Sequence, residues 1–262
     1  MTESNSLLLS DEHLVGLLRP HAWEAEPYRT LRYSLERLRG AGKSAVIAIS
    51  SATPGDGKTT TALNLAAALA EIPHEKVLVI DADLRRGSVA HSLGLSATAD
   101  IGPGLTGAVH DGSLSLADVS WSLKHRPFSV VPTGPLPSTP YEVLESPRLG
   151  VLIEEARREY GFIVLDTPPF VPFVDCRVLG RWVDWFLLVV AAHRTPRKLV
   201  EETLDVVEKS KLLGLDFNGD DGPLWGSNRY YQYTALFDHL PQAGSVAPKA
   251  APTAVAGKGL AS

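Results

Sequence analysis

The sequence predicts an α/β fold of three layers, a mainly parallel sheet flanked by helices on both sides. Three observations predict it. Near-continuous apolar runs stand at residues 46–50, 77–80, 162–165 and 185–190; such runs mark parallel strands buried on both faces. Helix-patterned stretches separate them at the spacing of strand–crossover–strand units. A turn with two glycines, Gly55 and Gly57, joins the first run to an Ala- and Leu-rich stretch that opens at Lys58.

The bulk numbers agree. A chain of 262 residues, 44% apolar, can bury a full core as one large domain. No run of about 18 apolar residues occurs, so no membrane span is expected. The first residues lack a basic region and an apolar core, so no secretory signal is expected. The single cysteine, Cys176, can form no internal disulfide, which fits a reducing cytoplasm. A formal charge of −5 speaks against a nucleic-acid partner held by bulk electrostatics. The eight histidines are scattered without metal-ligand spacing.

In chain order, residues 1–25 read as a loosely ordered lead-in, residues 26–218 as the folded domain and residues 219–262 as a tail. From Glu26 a helix is expected, because Pro27 suits its first turn, Tyr28, Leu31, Leu35 and Leu38 recur at helical spacing, and Gly40 ends it. After the strand at 46–50, the helix opening at Lys58 is stopped by Pro73. The strand at 77–80 runs into Asp81-Ala82-Asp83-Leu84-Arg85-Arg86. Residues 88–119 suggest two short helices around the loop at Gly102 to Gly104, and residues 128–131 a short strand. A helix over 141–160 is interrupted at Pro147; the strand at 162–165 then ends in Asp166-Thr167-Pro168-Pro169. A strand at 185–190, a charged helix at 196–210 and a strand at 213–217 close the domain. Trp182 and Trp185 read as packing on the flank of the sheet, and Cys176 as a structural thiol.

The chemistry gathers at strand ends, where ligands bind in open α/β sheets. In the turn Ala52-Thr53-Pro54-Gly55-Asp56-Gly57-Lys58-Thr59-Thr60, bare glycines let backbone N–H groups approach a phosphate, and the following helix N-terminus favours negative charge. Lys58 can reach the outer phosphates and Thr59 can bind an accompanying Mg²⁺. This is the glycine loop of a P-loop NTPase, with Ala52 where the usual pattern has its first glycine. Pro54, Gly55, Asp56, Gly57, Lys58, Thr59 and Thr60 are therefore candidate nucleotide contacts. Acids that follow buried strands are costly unless a metal or a base compensates them. Asp81, Asp83 and Asp166 are such acids; Asp166 is a candidate outer ligand acting through water, and Asp81 or Asp83 a contact to the metal or the nucleophile. Asp81 is the expected acceptor of a hydroxyl proton.

Together these elements resemble the bacterial tyrosine kinases, a branch of the P-loop NTPases. SATPGDGKTTTALNLA is similar to their Walker A motif, VLVIDADLR to their second acidic motif, and FIVLDTPP to their Walker B strand. EPYRTLR resembles their Glu-x-x-Arg-x-x-Arg helix, which implies that Glu26, Arg29 and Arg32 contact a neighbouring subunit in a ring-shaped homo-oligomer. The likeness runs from about residue 11 to about residue 217. Thr53 stands where the related partition ATPases carry a signature lysine, which separates the chain from them.

The resemblance implies ATP and Mg²⁺ as cofactors and autophosphorylation between subunits on C-terminal tyrosines. It also implies a separate membrane-embedded polysaccharide co-polymerase as activator, a phosphotyrosine phosphatase, a role in capsule or exopolysaccharide export, and a place at the inner face of the membrane through the partner. Tyr230, Tyr231 and Tyr233 are the candidate acceptors, although that stretch also fits a packed amphipathic helix. Asn218 matches an adenine-contacting asparagine and equally fits a turn. Two departures stand out: Gly87 occupies the place of a proline, and Ala191-Ala192-His193 a place where relatives commonly carry an arginine. The competing reading is a non-kinase ATPase that serves as a nucleotide-dependent scaffold of an export complex.

Overall fold

The computed structural model describes residues 11–95, 102–122 and 128–219. The tail beyond, with Tyr230, Tyr231 and Tyr233, lies outside the described residues. In chain order the elements are α1 (Val15–Leu18), α2 (Glu26–Arg39), β1 (Ala45–Ser51), α3 (Lys58–Leu69), β2 (Val77–Asp81), α4 (Val89–Ser92), α5 (Gly104–His110), α6 (Leu116–Val119) and β3 (Trp121–Ser122). They continue with β4 (Ser129–Val131), α7 (Pro140–Glu145), α8 (Pro147–Glu159), β5 (Phe162–Asp166), α9 (Asp175–Leu179), β6 (Trp185–Ala191), α10 (Arg197–Val206) and β7 (Leu212–Asn218).

The seven strands form one sheet in the order β3-β4-β2-β5-β1-β6-β7. All pairs are parallel except the short edge pair β3–β4. The apolar runs explain this arrangement, because side chains alternate between two covered faces. Val46, Ala48, Leu78, Ile80, Ile163 and Leu165 enter a core with α5 to α9. Ala45, Ile47, Ile49, Val77, Val79, Phe162 and Val164 enter a second core with α1 to α4. Three layers result.

Sequence and structure differ in four places. Residues 11–25, expected to be loose, are packed: Leu14 is fully buried, and Asn64 accepts the amide of Gly16 and donates to the carbonyl of His13. Leu14, Leu17 and Ala25 pack inward and Asn64 and Thr60 hold the stretch by hydrogen bonds, contacts too irregularly spaced to give a periodic signal. Three short helices, not two, occupy the described parts of 88–119. The third is closed by a reciprocal cap in which Ser115 and Asp118 satisfy each other's backbone amides. The two-residue strand β3 was too short to carry any pattern. The charged helix ends at Val206 and not near 210. The interruption expected at Pro147 is present, with Ser146 capping α8 through the amide of Arg148.

Candidate active site

β1 ends among β5, β6 and the loop that opens α3, so groups from four strand ends meet at one edge of the sheet. Gly55 and Gly57 have φ of +83° and +100°, values that L side chains rarely adopt. Ala52 has no such backbone, which is why the missing first glycine is tolerated. Gly57 precedes α3, no side chain caps that helix, and its first amides are left for a ligand.

The loop is held from three sides. Asp56, expected among the nucleotide contacts, turns its buried carboxylate inward. It accepts from the Thr53 amide at 3.0 Å, the Thr53 hydroxyl at 2.8 Å and the Thr195 hydroxyl at 2.8 Å. Asn218 donates through Nδ2 to the Asp56 carbonyl at 3.0 Å. The Arg194 guanidinium donates to the Gly55 carbonyl. The Thr60 hydroxyl points away from the loop, to Asp11 at 3.1 Å. Thr195 and Arg194 escaped the sequence reading. Thr195 carries no sequence signal, and Arg194 only that of a basic residue just beyond β6.

The acids converge. Asp81 and Asp166 are register partners on β2 and β5, both about 1% exposed. Asp81 accepts from the Val89 amide at 2.9 Å and the Asp83 amide at 3.3 Å, which ties the acidic loop to the start of α4. Asp166 accepts through Oδ2 from the Thr59 hydroxyl at 2.6 Å, and Thr59 meets Ser88 at 2.7 Å. Burial pushes the Asp166 carboxyl up to about 7, opposed by the Thr59 hydrogen bond and the charge of Lys58. Burial and the nearby Asp166 raise Asp81 well above the usual carboxylate range. Asp83, partly exposed, accepts from the amides of Arg85 and Arg86 at 3.2 Å.

Two flanking contacts hold the acidic loops in place. Arg85 forms a bidentate pair with buried Asp175, at 2.7 and 3.0 Å, and lies over the ring of Phe173. Cys176, fully buried, meets the Pro168 carbonyl at 3.0 Å, Ser50 at 3.3 Å and Thr167 at 3.4 Å. Burial raises its thiol to about 11, so it acts in packing and not as a nucleophile. Gly87 has φ +48°, which a proline ring cannot adopt, and lies against Thr133.

Do these residues suit a magnesium ion? Asp166 Oδ1 is buried without a hydrogen-bond partner, the kind of oxygen a cation would satisfy. Around it stand Thr59, Ser88 and Asp81, an all-oxygen set suited to a hard cation. They fit.

The comparisons with known proteins agree with this geometry. A family model for the AAA domain matches residues 44–119. The tyrosine-protein kinase YwqD of Bacillus subtilis is 33% identical over 209 residues, which cover 79% of this chain and 86% of YwqD. The chain belongs to the bacterial tyrosine kinases. The tyrosine-protein kinase CpsD of Streptococcus agalactiae is 32% identical over 178 residues, 67% of this chain and 75% of CpsD. The kinase domain of the Escherichia coli tyrosine kinase ETK superposes with a TM-score of 0.72 at 29% identity, covering 87% of this chain and 85% of that one.

In this kinase the three residues expected to contact a neighbouring subunit also work within the chain. Arg29 binds Glu26 at 2.6 Å and Glu71 at 3.2 Å, and Arg32 binds Glu71 at 2.9 Å. Glu71 thus clamps α2 to the end of α3. No helix among the described residues is long and apolar enough to cross a membrane.

Proposed function

We propose that this kinase transfers the γ-phosphoryl group of ATP to tyrosine hydroxyls of its own C-terminal tail, between subunits, and so regulates capsule or exopolysaccharide assembly. The observation that carries the reading is the meeting of the glycine loop, Thr59 and the Asp81–Asp166 pair at one sheet edge. Relatives named as tyrosine-protein kinases favour it over the scaffold reading.

The amides after Gly57 and the Lys58 ammonium bind and orient the phosphates. Thr59, with Asp81 and Asp166 beside it, would hold Mg²⁺, which when bound neutralises charge on the phosphates. Phosphoryl transfer has a loose transition state, so these residues act mainly by positioning. Asp83, on the more exposed side, orients the incoming tyrosine hydroxyl. Asp81, the register partner of Asp166, takes its proton. Asn218 contacts the adenine while its amide holds the loop.

Glu26, Arg29 and Arg32 lie on α2 where a neighbouring subunit would meet them in a ring, and Tyr230, Tyr231 and Tyr233 are the acceptors. A separate membrane-embedded co-polymerase activates the kinase and holds it at the cytoplasmic face, and a phosphatase resets it. Co-expression with the membrane partner, followed by phosphosite mapping, tests this reading. Phosphate on Tyr230, Tyr231 or Tyr233 is expected; an unmodified tail with intact ATP hydrolysis would sink it in favour of the scaffold.

A further inference from the structure

Beside the glycine loop, polar side chains of β7 reach both the loop and the helix that follows it. Residues two apart on a strand project to the same face, and Asp216 and Asn218 of β7 are such a pair. Asn218 reaches the loop: its Nδ2 donates to the Asp56 carbonyl and sits 1.9 Å from where a Cβ on Gly57 would lie. Asp216 reaches the first turns of α3 and accepts from the Thr61 hydroxyl at 3.3 Å. Tyr28 of α2 packs, partly buried, against the same side of the sheet. Burial moves the Asp216 carboxyl up to about 6 and the Tyr28 hydroxyl to about 12.

Among the described residues Asp216 forms no ion pair, and its register neighbour Val189 belongs to the apolar core. Asp216 is half-buried on the edge strand β7, where packing does not require an acid. What it does there is hold the Thr61 hydroxyl of α3, two residues before Asn218 reaches the loop.

We propose that Asp216 is a positioning residue of the nucleotide site. Held to Thr61 of α3, it sets the end of β7 against the helix that opens at the glycine loop. That placement keeps Asn218 on the loop backbone. The inference rests on reading the glycine loop as a nucleotide site.

The test uses the full chain and two measurements: thermal unfolding without nucleotide, and equilibrium binding of a fluorescent ADP analogue with Mg²⁺. ADP binding by the unaltered protein checks the underlying site by itself. Asp216→Val should melt at or above the temperature of the unaltered protein, yet bind ADP about tenfold more weakly, the equivalent of one lost hydrogen bond. Asp216→Asn, which keeps the shape, should lie between. Thr61→Val should weaken ADP binding and add little in combination with Asp216→Val, since the two share one hydrogen bond. Unchanged ADP affinity in Asp216→Val would overturn the proposal. So would a melting temperature that falls together with affinity in both Asp216 variants, because the residue would then be merely structural.

Discussion

Asp81 and Asp166 stand directly opposite one another at the ends of the adjacent parallel strands β2 and β5. Two buried acids in register repel each other, and without a cation burial keeps protons on them. A carboxyl whose proton affinity is higher folded than unfolded stabilises the fold fully below its unfolded value, about 4, and loses that effect as pH rises through its folded value. For Asp166 the folded value is about 7. The nucleotide-free protein without Mg²⁺ should therefore melt at a higher temperature at pH 5 than at pH 8. Asp166→Asn should flatten this dependence while lowering autophosphorylation at least about a hundredfold, since an aimed charge at the reacting centre is lost. Scanning calorimetry across pH in a chelating buffer checks the first outcome, and phosphotyrosine blotting the second.

Lys58 is buried at the start of α3, and its charge lowers the proton affinity of Asp166. Lys58→Met removes the cation that meets the outer phosphates and keeps an apolar stem of similar length. Autophosphorylation should be abolished while the far-ultraviolet circular dichroism stays unchanged. Persistent phosphotyrosine would remove Lys58 from the site.

Gly57 tests the contact with Asn218. A methyl group at this position would fall 1.9 Å from Asn218 Nδ2, on a backbone at φ +100°. Gly57→Ala should cost roughly 1–3 kcal/mol from backbone strain and push Asn218 off the loop. Nucleotide affinity should fall more than stability, as seen by comparing ADP titration with urea denaturation.

Arg85 pairs with Asp175, which is itself fully buried while the arginine is about one-third exposed. Arg85→Ala leaves a buried carboxylate without its cation, which costs about 3 kcal/mol, the lower end for a broken buried pair because solvent reaches the arginine side. The double variant Arg85→Ala with Asp175→Asn should recover part of that loss in urea denaturation.

Much of the site was legible because its chemistry is local in sequence. Gly57, Lys58 and Thr59 lie on one turn, and a helix start dictates their geometry. Asp81 and Asp166 were legible as acids that end apolar runs, and parallel strands bring both to the carboxyl end of the sheet. The roles of Asp56 and Thr60 were less legible. Both stand in the motif, yet their side chains bind Thr53, Thr195 and Asp11 within the chain. The direction of a side chain depends on its partners, and Asp11 and Thr195 lie 49 and 139 residues away along the chain, a distance that motif spacing does not encode.

The same division holds for the whole molecule. The sequence by itself determined the layered α/β fold, the glycine loop and the three acids, because apolar periodicity and glycine conformation are properties of short segments. Only the tertiary structure decided that Asp81 and Asp166 are register partners, that Arg194, Thr195 and Asn218 grip the loop, and that Glu71 gathers Arg29 and Arg32. Those relationships depend on which strands lie side by side and on which helices cover them, and packing of the complete chain sets both.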